Sequence, residues 1–211
     1  DVFQFSVGLN GVGTKAVNAL SEDFEVCAFR EGKFRRANFE RGQLVADKKG
    51  KEAGGRNGTF VAFTPDYDSY AMLPGWARKT LDEHRRDKRE HLYDEAELAA
   101  GETHDSYWNA AMREMRVSGY MHNYMRMYWG KKIIEWSASP ESAFETTLAL
   151  NNKYFIDGRD PNSYCGVGWL FGVHDRAWQE RPIFGKIRYM NAAGLKRKFD
   201  VTTYVNWADA L

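Results

Sequence analysis

The side chains available to build a core change abruptly along this 211-residue chain. All 7 Trp, all 11 Tyr, all 7 Met and all 5 His lie after Asp66, whereas the first 66 residues hold 8 of the 13 Phe and 9 of the 19 Gly. A single core draws on one pool of residue types, so the break divides the chain into two units, 1–66 and 67–211, joined at Pro65-Asp66. No Ser/Gly tract or low-complexity stretch marks the join, and no internal repeat is visible. The length suffices for one ordinary core or two small ones.

A formal net charge of +1 gives no global pull toward nucleic acid or an anionic membrane, though local basic patches remain open. No run approaches the roughly 20 apolar residues of a membrane span, so no membrane partner is expected. The opening Asp1-Val2-Phe3-Gln4 does not read as a signal peptide. Cys27 and Cys165 offer neither a disulfide framework nor metal-ligand spacing, and no histidine pair has metal spacing, so we expect no metal. A reducing, cytoplasmic setting is the default.

The first unit reads as a glycine loop, a short helix over 14–20 and a β-meander. Phe24 to Phe29 alternates apolar and polar residues, Glu31-Gly32-Lys33 is a turn, and Phe34 to Phe39 resumes the alternation, a hairpin signal. Residues 48–58 are polar and Gly-rich and read as an exposed loop; Thr59 to Phe63 is a final strand. The second unit reads as mostly helical. Residues 76–98 carry a charged run over 82–90 that suits a solvated helix face, with Asp82 and Arg86 spaced to pair. Residues 104–136 have a long helical pattern interrupted by Gly119, Ser139-Pro140 starts another helix, and residues 157–162 form a tight polar turn. The predicted class is α+β: a small β-rich unit, then a helical one.

Three glycines ahead of a helix can cradle a phosphate, because unpaired N–H groups and the helix dipole favour an anion there. Gly8, Gly11, Gly13 and Lys15 are the candidates for ATP phosphates. The stretch is not a P-loop, since Thr14 precedes Lys15 rather than following it.

In the second unit, Trp129 and Trp136 are seven apart and share a helix face about 10.5 Å apart along the axis. They suit core packing or an electron relay. A relay that includes Trp108 needs a turn near 117–119, because one straight helix would separate Trp108 from Trp129 by about 31 Å. Arg126 among Tyr124, Met125, Met127 and Tyr128 calls for an acidic partner if buried, with Asp157 and Asp160 as candidates; a salt bridge or a cofactor pocket both fit. Lys186-Ile187-Arg188-Tyr189 and Lys196-Arg197-Lys198-Phe199 interleave charge with aromatics, which suits either a solvated face or phosphates beside a stacking surface.

Two resemblances sharpen these readings. Val7-Gly8-Leu9-Asn10-Gly11-Val12-Gly13-Thr14-Lys15, with Arg30-Glu31-Gly32-Lys33 and Phe39-Glu40-Arg41-Gly42, resembles the ATP-lid region of type IIA topoisomerase ATPase subunits, the Bergerat-type ATPases of gyrase B and topoisomerase IV. The likeness covers about 5–66. The family's catalytic glutamate, magnesium-binding asparagine, adenine-reading aspartate and terminal-phosphate lysine have no counterpart here.

Thr103-His104-Asp105-Ser106-Tyr107-Trp108, Met121-His122-Asn123-Tyr124-Met125-Arg126-Met127-Tyr128-Trp129, Asp157-Gly158-Arg159-Asp160-Pro161-Asn162 and His174-Asp175-Arg176-Ala177-Trp178 resemble class II cyclobutane pyrimidine dimer photolyases, from about 65 to 204. That resemblance implies FAD as cofactor, damaged DNA as partner and light-driven dimer splitting. By position, Trp129 would stand nearest the flavin, Trp108 would be the outer relay member and Trp136 a branch. Arg126, Asn151, Asp157 and Arg159 would hold FAD, Asn151 facing N5 and Arg126 paired with Asp157. Trp169 would stack on the lesion with Met127 nearby, and Lys186, Arg188, Lys196, Arg197 and Lys198 would face DNA. Asn152 replaces an expected aspartate and Met112 an expected glutamine. The family's antenna domain and first half of its flavin domain have no counterpart, so weak or absent turnover is expected. The remaining alternatives are an ATP-binding topoisomerase fragment and a non-catalytic chimera spliced at Pro65-Asp66.

Overall fold

The computed structural model describes residues 18, 21–52, 54–65, 68–198 and 200–211. The expected glycine loop over 8–13 and Lys15 lie outside them. The chain divides into two compact units, one ending at Met72 and the other running from Leu73 to Leu211.

The first unit is a four-stranded antiparallel sheet of β1 (Ser21–Arg30), β2 (Lys33–Glu40), β3 (Gln43–Lys51) and β4 (Gly58–Pro65), in the order β3-β2-β1-β4. Both hairpins turn through two residues of positive φ, Glu31 (52°) with Gly32 (69°) and Arg41 (47°) with Gly42 (79°). Such turns carry the twist that lets flanking strands pair. Register places Phe39 and Phe63 on either side of Phe24, with ring centroids 5.9 Å and 6.4 Å away, and Phe24 is buried. The loop expected over 48–58 is corrected: β3 continues through Lys51. This sets Lys48 opposite Arg36 and Lys49 opposite Arg35. The like-charge repulsion is screened at this exposed edge, and the ladder hydrogen bonds and the Arg35–Asp47 ion pair at 2.6 Å oppose it.

The second unit contains α1 (Gly75–Glu83), α2 (Glu95–Ala100), α3 (Ser106–Ser118), α4 (Asn123–Trp136), α5 (Pro140–Tyr154), α6 (Pro161–Leu170), α7 (Ala192–Lys196) and α8 (Val201–Asp209). No helix among the described residues is long and apolar enough to cross a membrane. Helix α4 is the hub and packs against α3, α5, α6 and α7. Its buried residues Met125, Tyr128, Trp129, Lys131, Ile134 and Trp136 occupy every side of the helix. Gly130 allows α6 to approach, since a Cβ there would lie 2.1 Å from Leu170 Cδ1.

Local chemistry sets the helix ends. Asp105 caps α3 through the backbone N–H groups of Tyr107 and Trp108, and its second oxygen accepts from the Tyr128 hydroxyl, tying α3 to α4. Gly119, at φ 68°, ends α3 and reverses the chain into α4, at the place where a relay requires a turn. Ser139 caps α5 in a capping box, with Pro140 at the first turn. The charged run over 82–90 is a second correction: α1 ends at Glu83, and residues 84–94 are not helical. Arg85, not Arg86, pairs with Asp82 at 2.9 Å, and it reaches Glu141 at 2.8 Å, while His84 sits between Asp87 and Glu180. These contacts outbid surface helix pairs of about 0.2–0.5 kcal/mol.

Candidate functional site

The second unit carries a cleft-like cavity of about 890 Å³ that opens to solvent. Helix α4 contributes Arg126, Met127 and Trp129; α5 contributes Asn151; α6 contributes Gly166, Val167 and Trp169. The irregular segment after α6 adds Trp178, Arg188 and Tyr189, and Arg197 and Lys198 close the rim beyond α7. Nothing lies within 4 Å of a Cβ added at Gly166, so the backbone there is open to a close-fitting ligand.

Arg126 is half-buried rather than enclosed. Its guanidinium donates to Asp157 at 2.9 Å and 3.3 Å and lies 3.7 Å from the Phe155 ring centroid. Asn151 is buried and tightly engaged: its amide N–H₂ donates to Gly158 O (2.8 Å) and Asn152 Oδ1 (3.1 Å), and its oxygen accepts from Ser163 Oγ (3.0 Å). Gly158 must be glycine, because a Cβ would stand 2.3 Å from Asn151 O. The two departures from the expected pattern both have roles. Asn152 orients Asn151 and donates to the Tyr164 hydroxyl, and Met112 Sδ accepts from Trp129 Nε1 at 3.2 Å.

The three tryptophans form a connected group. Trp108 Nε1 donates to Trp129 O at 3.0 Å, and the Trp108 and Trp136 rings meet edge-to-face at 5.7 Å. Trp129 lines the cavity. Trp108, expected as the outer member, is 0% exposed, and Trp136 is 2% exposed, so neither opens onto solvent.

The other expected residues separate into two groups. Met127, Trp169, Arg188, Arg197 and Lys198 line the cavity. Lys186 instead pairs with Glu180 at 3.8 Å, Lys196 lies over the Tyr107 ring, and Arg159 is exposed; none of these three lines it. Sequence reasoning missed Trp178, a cavity-wall residue whose ring lies 4.5 Å from the Arg188 guanidinium and 4.9 Å from that of Arg176. Asp175 organises this corner, accepting from Arg188 Nε at 2.8 Å and from Trp178 Nε1 at 3.1 Å. Those bonds outweigh the effect of burial and hold its carboxyl at about 2. The signal was the Asp175-Arg176-Ala177-Trp178 run, but its partner Arg188 lies too far along the chain to be paired by spacing. Lys131 was also missed. It is fully buried, donates to Leu170 O, and burial pulls its ammonium down to about 7. Among the described residues no cluster could hold a metal ion.

Known proteins resemble the two parts of the chain separately. A deoxyribodipyrimidine photo-lyase of Methanothermobacter thermautotrophicus is 56% identical over 147 residues, covering 70% of this chain and 33% of that protein. The C-terminal part is similar to deoxyribodipyrimidine photo-lyases. The N-terminal part is similar to a DNA topoisomerase 4 protein of Borreliella burgdorferi, 51% identical over 70 residues, covering 33% of this chain and 12% of that protein. A crystal structure of the 43K ATPase domain of Thermus thermophilus gyrase B in complex with an aminocoumarin aligns at 40% identity over 35% of this chain and 22% of that one, with a TM-score of 0.27. The chain thus spans about a third of the photo-lyase and about an eighth of the topoisomerase protein. No family model matches.

Proposed function

We propose that the second unit is a flavin-binding, DNA-directed part of a photo-lyase, acting on cyclobutane pyrimidine dimers. The carrying observation is convergence. Arg126, Met127, Trp129, Asn151, Trp169, Arg188, Arg197 and Lys198, whose flavin, lesion or DNA roles the resemblance implies, line one cavity, whereas Asp157, Arg159, Lys186 and Lys196 do not. The lining suits FAD: an apolar wall of Trp129, Met127 and Val167 for a flat ring, cations at Arg126 and Arg188, and at Asn151 an amide whose two N–H groups are taken but whose oxygen keeps an acceptor site beside the Ser163 bond. Cofactor pockets of this size are mostly apolar with a few fixed polar groups.

Arg126, Asn151 and Trp129 would hold FAD at this cavity, and the bound flavin would supply light-driven one-electron chemistry toward the dimer. The chain's own residues do the rest. Asp157 and Phe155 hold Arg126 at the cavity edge, and Asn151 is locked by Gly158, Asn152 and Ser163. Trp169, 46% exposed, offers a stacking face to an extruded base, and Arg197 and Lys198 offer phosphate contacts at the rim. Trp129, Trp108 and Trp136 supply electrons from within the fold.

Reconstitution tests this reading. The purified chain should retain FAD through desalting, and Arg126→Met or Asp157→Ala should weaken retention at least tenfold. A chain that releases all FAD, with both variants identical to it, defeats the proposal. The topoisomerase likeness favours a second reading, ATP binding at the N-terminal unit. Its mark is a rise in melting temperature with ATP that Lys15→Ala removes.

A further inference from the structure

Residues 175–191, which bring Trp178, Arg188 and Tyr189 to the cavity wall, contain no helix, so their placement depends on what they dock against. Within them, Arg181 and Gly185 exchange two backbone hydrogen bonds of 2.9 Å and 2.8 Å and close a tight hairpin. The Trp178 N–H donates to Lys186 O at 2.8 Å, so the stem of the hairpin fixes the backbone from which the Trp178 ring projects. The hairpin rests on the C-terminal end of α1. Gly185 approaches so closely that a Cβ would stand 2.2 Å from Thr80 Oγ1 and 2.9 Å from His84 Cδ2. The Lys186 N–H donates to Thr80 Oγ1 at 3.0 Å, and Ile183, at φ 68°, turns its N–H onto Asp87 Oδ2 at 2.8 Å. A β-branched residue held in the left-handed region shows that the docking overrides the local preference of the chain.

His84 bridges the two sides. Its Nδ1 lies 2.6 Å from Asp87 Oδ2, just beyond α1, and its Nε2 lies 3.0 Å from Glu180 Oε1, at the foot of the hairpin. An ionised carboxylate only accepts, so both contacts are hydrogen bonds only when both ring nitrogens carry protons. The neutral ring has a single N–H and leaves one carboxylate facing a lone pair. Hydrogen bonds to Asp87 and then to Glu180 accordingly raise the ring's pKa above its ordinary 6.5, against the effect of burial. Arg89 is the other charge acting on Asp87, and Lys186 stands 3.8 Å from Glu180. The far side of the hairpin faces a recess lined by Lys88, Glu90, His91, His104, Lys132 and Glu135.

We propose that His84 is a positioning residue for the cavity: as an imidazolium it clamps the 181–185 hairpin to α1 and so fixes the wall that carries Trp178 and Arg188, and as a neutral ring it lets go of one side. The clamp is complete below pH 6.5, where the ring is protonated in the clamped and released states alike. It is lost as pH rises through the higher pKa of the clamped ring. The clamp is a property of this chain's side chains; that the wall serves a flavin and DNA rests on the reading above.

Residue-resolved amide exchange on the full chain, from pH 5.5 to 8.5 and corrected for the intrinsic pH dependence of exchange, tests it. The Ile183 and Lys186 amides report opening of the hairpin, Trp178 reports the wall, and Met115 in α3 is the reference. Opening at the first three should rise about tenfold or more across this range, the scale of one charge-assisted hydrogen bond, with no such rise at Met115. His84→Gln should hold opening at the alkaline level at every pH. Glu180→Gln is the conservative counterpart: its amide can donate to Nε2 of the neutral ring, so the hairpin stays docked and the rise flattens. A His84→Gln chain whose hairpin still opens with pH as the parent's does overturns the proposal. So does a rise that His91→Gln/His104→Gln abolishes, because the recess then causes it. A Trp178 amide that ignores opening at Ile183 and Lys186 overturns the positioning of the wall. If His84→Gln does not fold, Glu180→Gln decides, and an undiminished rise overturns the clamp. No readout here needs FAD, so loss of FAD retention counts only against the flavin reading.

Discussion

Lys131 offers a test that needs no ligand. The side chain is 0% exposed, and burial lowers its pKa from 10.5 to about 7, with Asp175 opposing and Arg188 assisting more weakly. Below pH 7 the lysine is charged in both folded and unfolded chains, and the fold bears the full cost of the buried charge. Between pH 7 and 10.5 the unfolded chain keeps the proton and the folded one does not, so stability rises with pH at up to about 1.4 kcal/mol per pH unit. Lys131→Met keeps the volume and removes the charge. It also leaves Leu170 O without this donor, at a cost of about 1–3 kcal/mol that does not vary with pH. The stability difference, variant minus parent, should therefore fall by about 3 kcal/mol from pH 6 to pH 9. Urea unfolding followed by tryptophan fluorescence measures it for the second unit alone, since all 7 Trp lie there. The thiol of Cys165 and the phenols of Tyr128 and Tyr204, all raised by burial, cancel in the difference. Parallel curves for the two proteins would refute the reasoning, since they mean that Lys131 holds its proton throughout.

Three further outcomes follow from the geometry. Gly130→Ala forces a Cβ to 2.1 Å from Leu170 and should destabilise the second unit by about 1–3 kcal/mol in the same urea assay. Gly130→Ala combined with Leu170→Ala should cost less than the sum of the two single losses, because the smaller side chain removes the clash. Asp175→Asn frees Arg188 and Trp178 at the cavity wall and should raise the accessibility of Trp178 to acrylamide. The folded carboxyl of Asp175 titrates at about 2, below its ordinary 3.8, so its stabilisation is complete above pH 4 and lost as pH falls toward 2; the Asn variant should lack that acid step.

Much of this was readable in the sequence because its causes are local. The hairpin at Glu31-Gly32 needs positive φ, Ser139-Pro140 is a helix start by its own chemistry, and Gly119 ends α3 through a left-handed residue. The Arg126–Asp157 contact was among the pairings posed by charge alone. What failed was set by distant partners. The run over 82–90 looks helical until Glu141 and Glu180 capture Arg85 and His84. Residues 48–51 look like a loop until β2 supplies a ladder to join. Lys131 and Trp178 carried no periodic signal, because one owes its state to complete enclosure and the other to a guanidinium ten residues downstream.

Helix α4, buried on every side, has a kinetic consequence. A helix with no solvent-facing stripe gains little stability by forming early and alone, so its hydrogen bonds should be won only as α3, α5 and α6 close around it. Its amides should then exchange with solvent through opening of the whole helical unit rather than by fraying. The wall carrying Arg126, Met127 and Trp129 would share that protection, whereas the rim at Arg197 and Lys198 would exchange through small local openings. The candidate site would thus join one of the slowest-opening parts of the chain to one of its quickest, a rigid floor beneath a yielding edge.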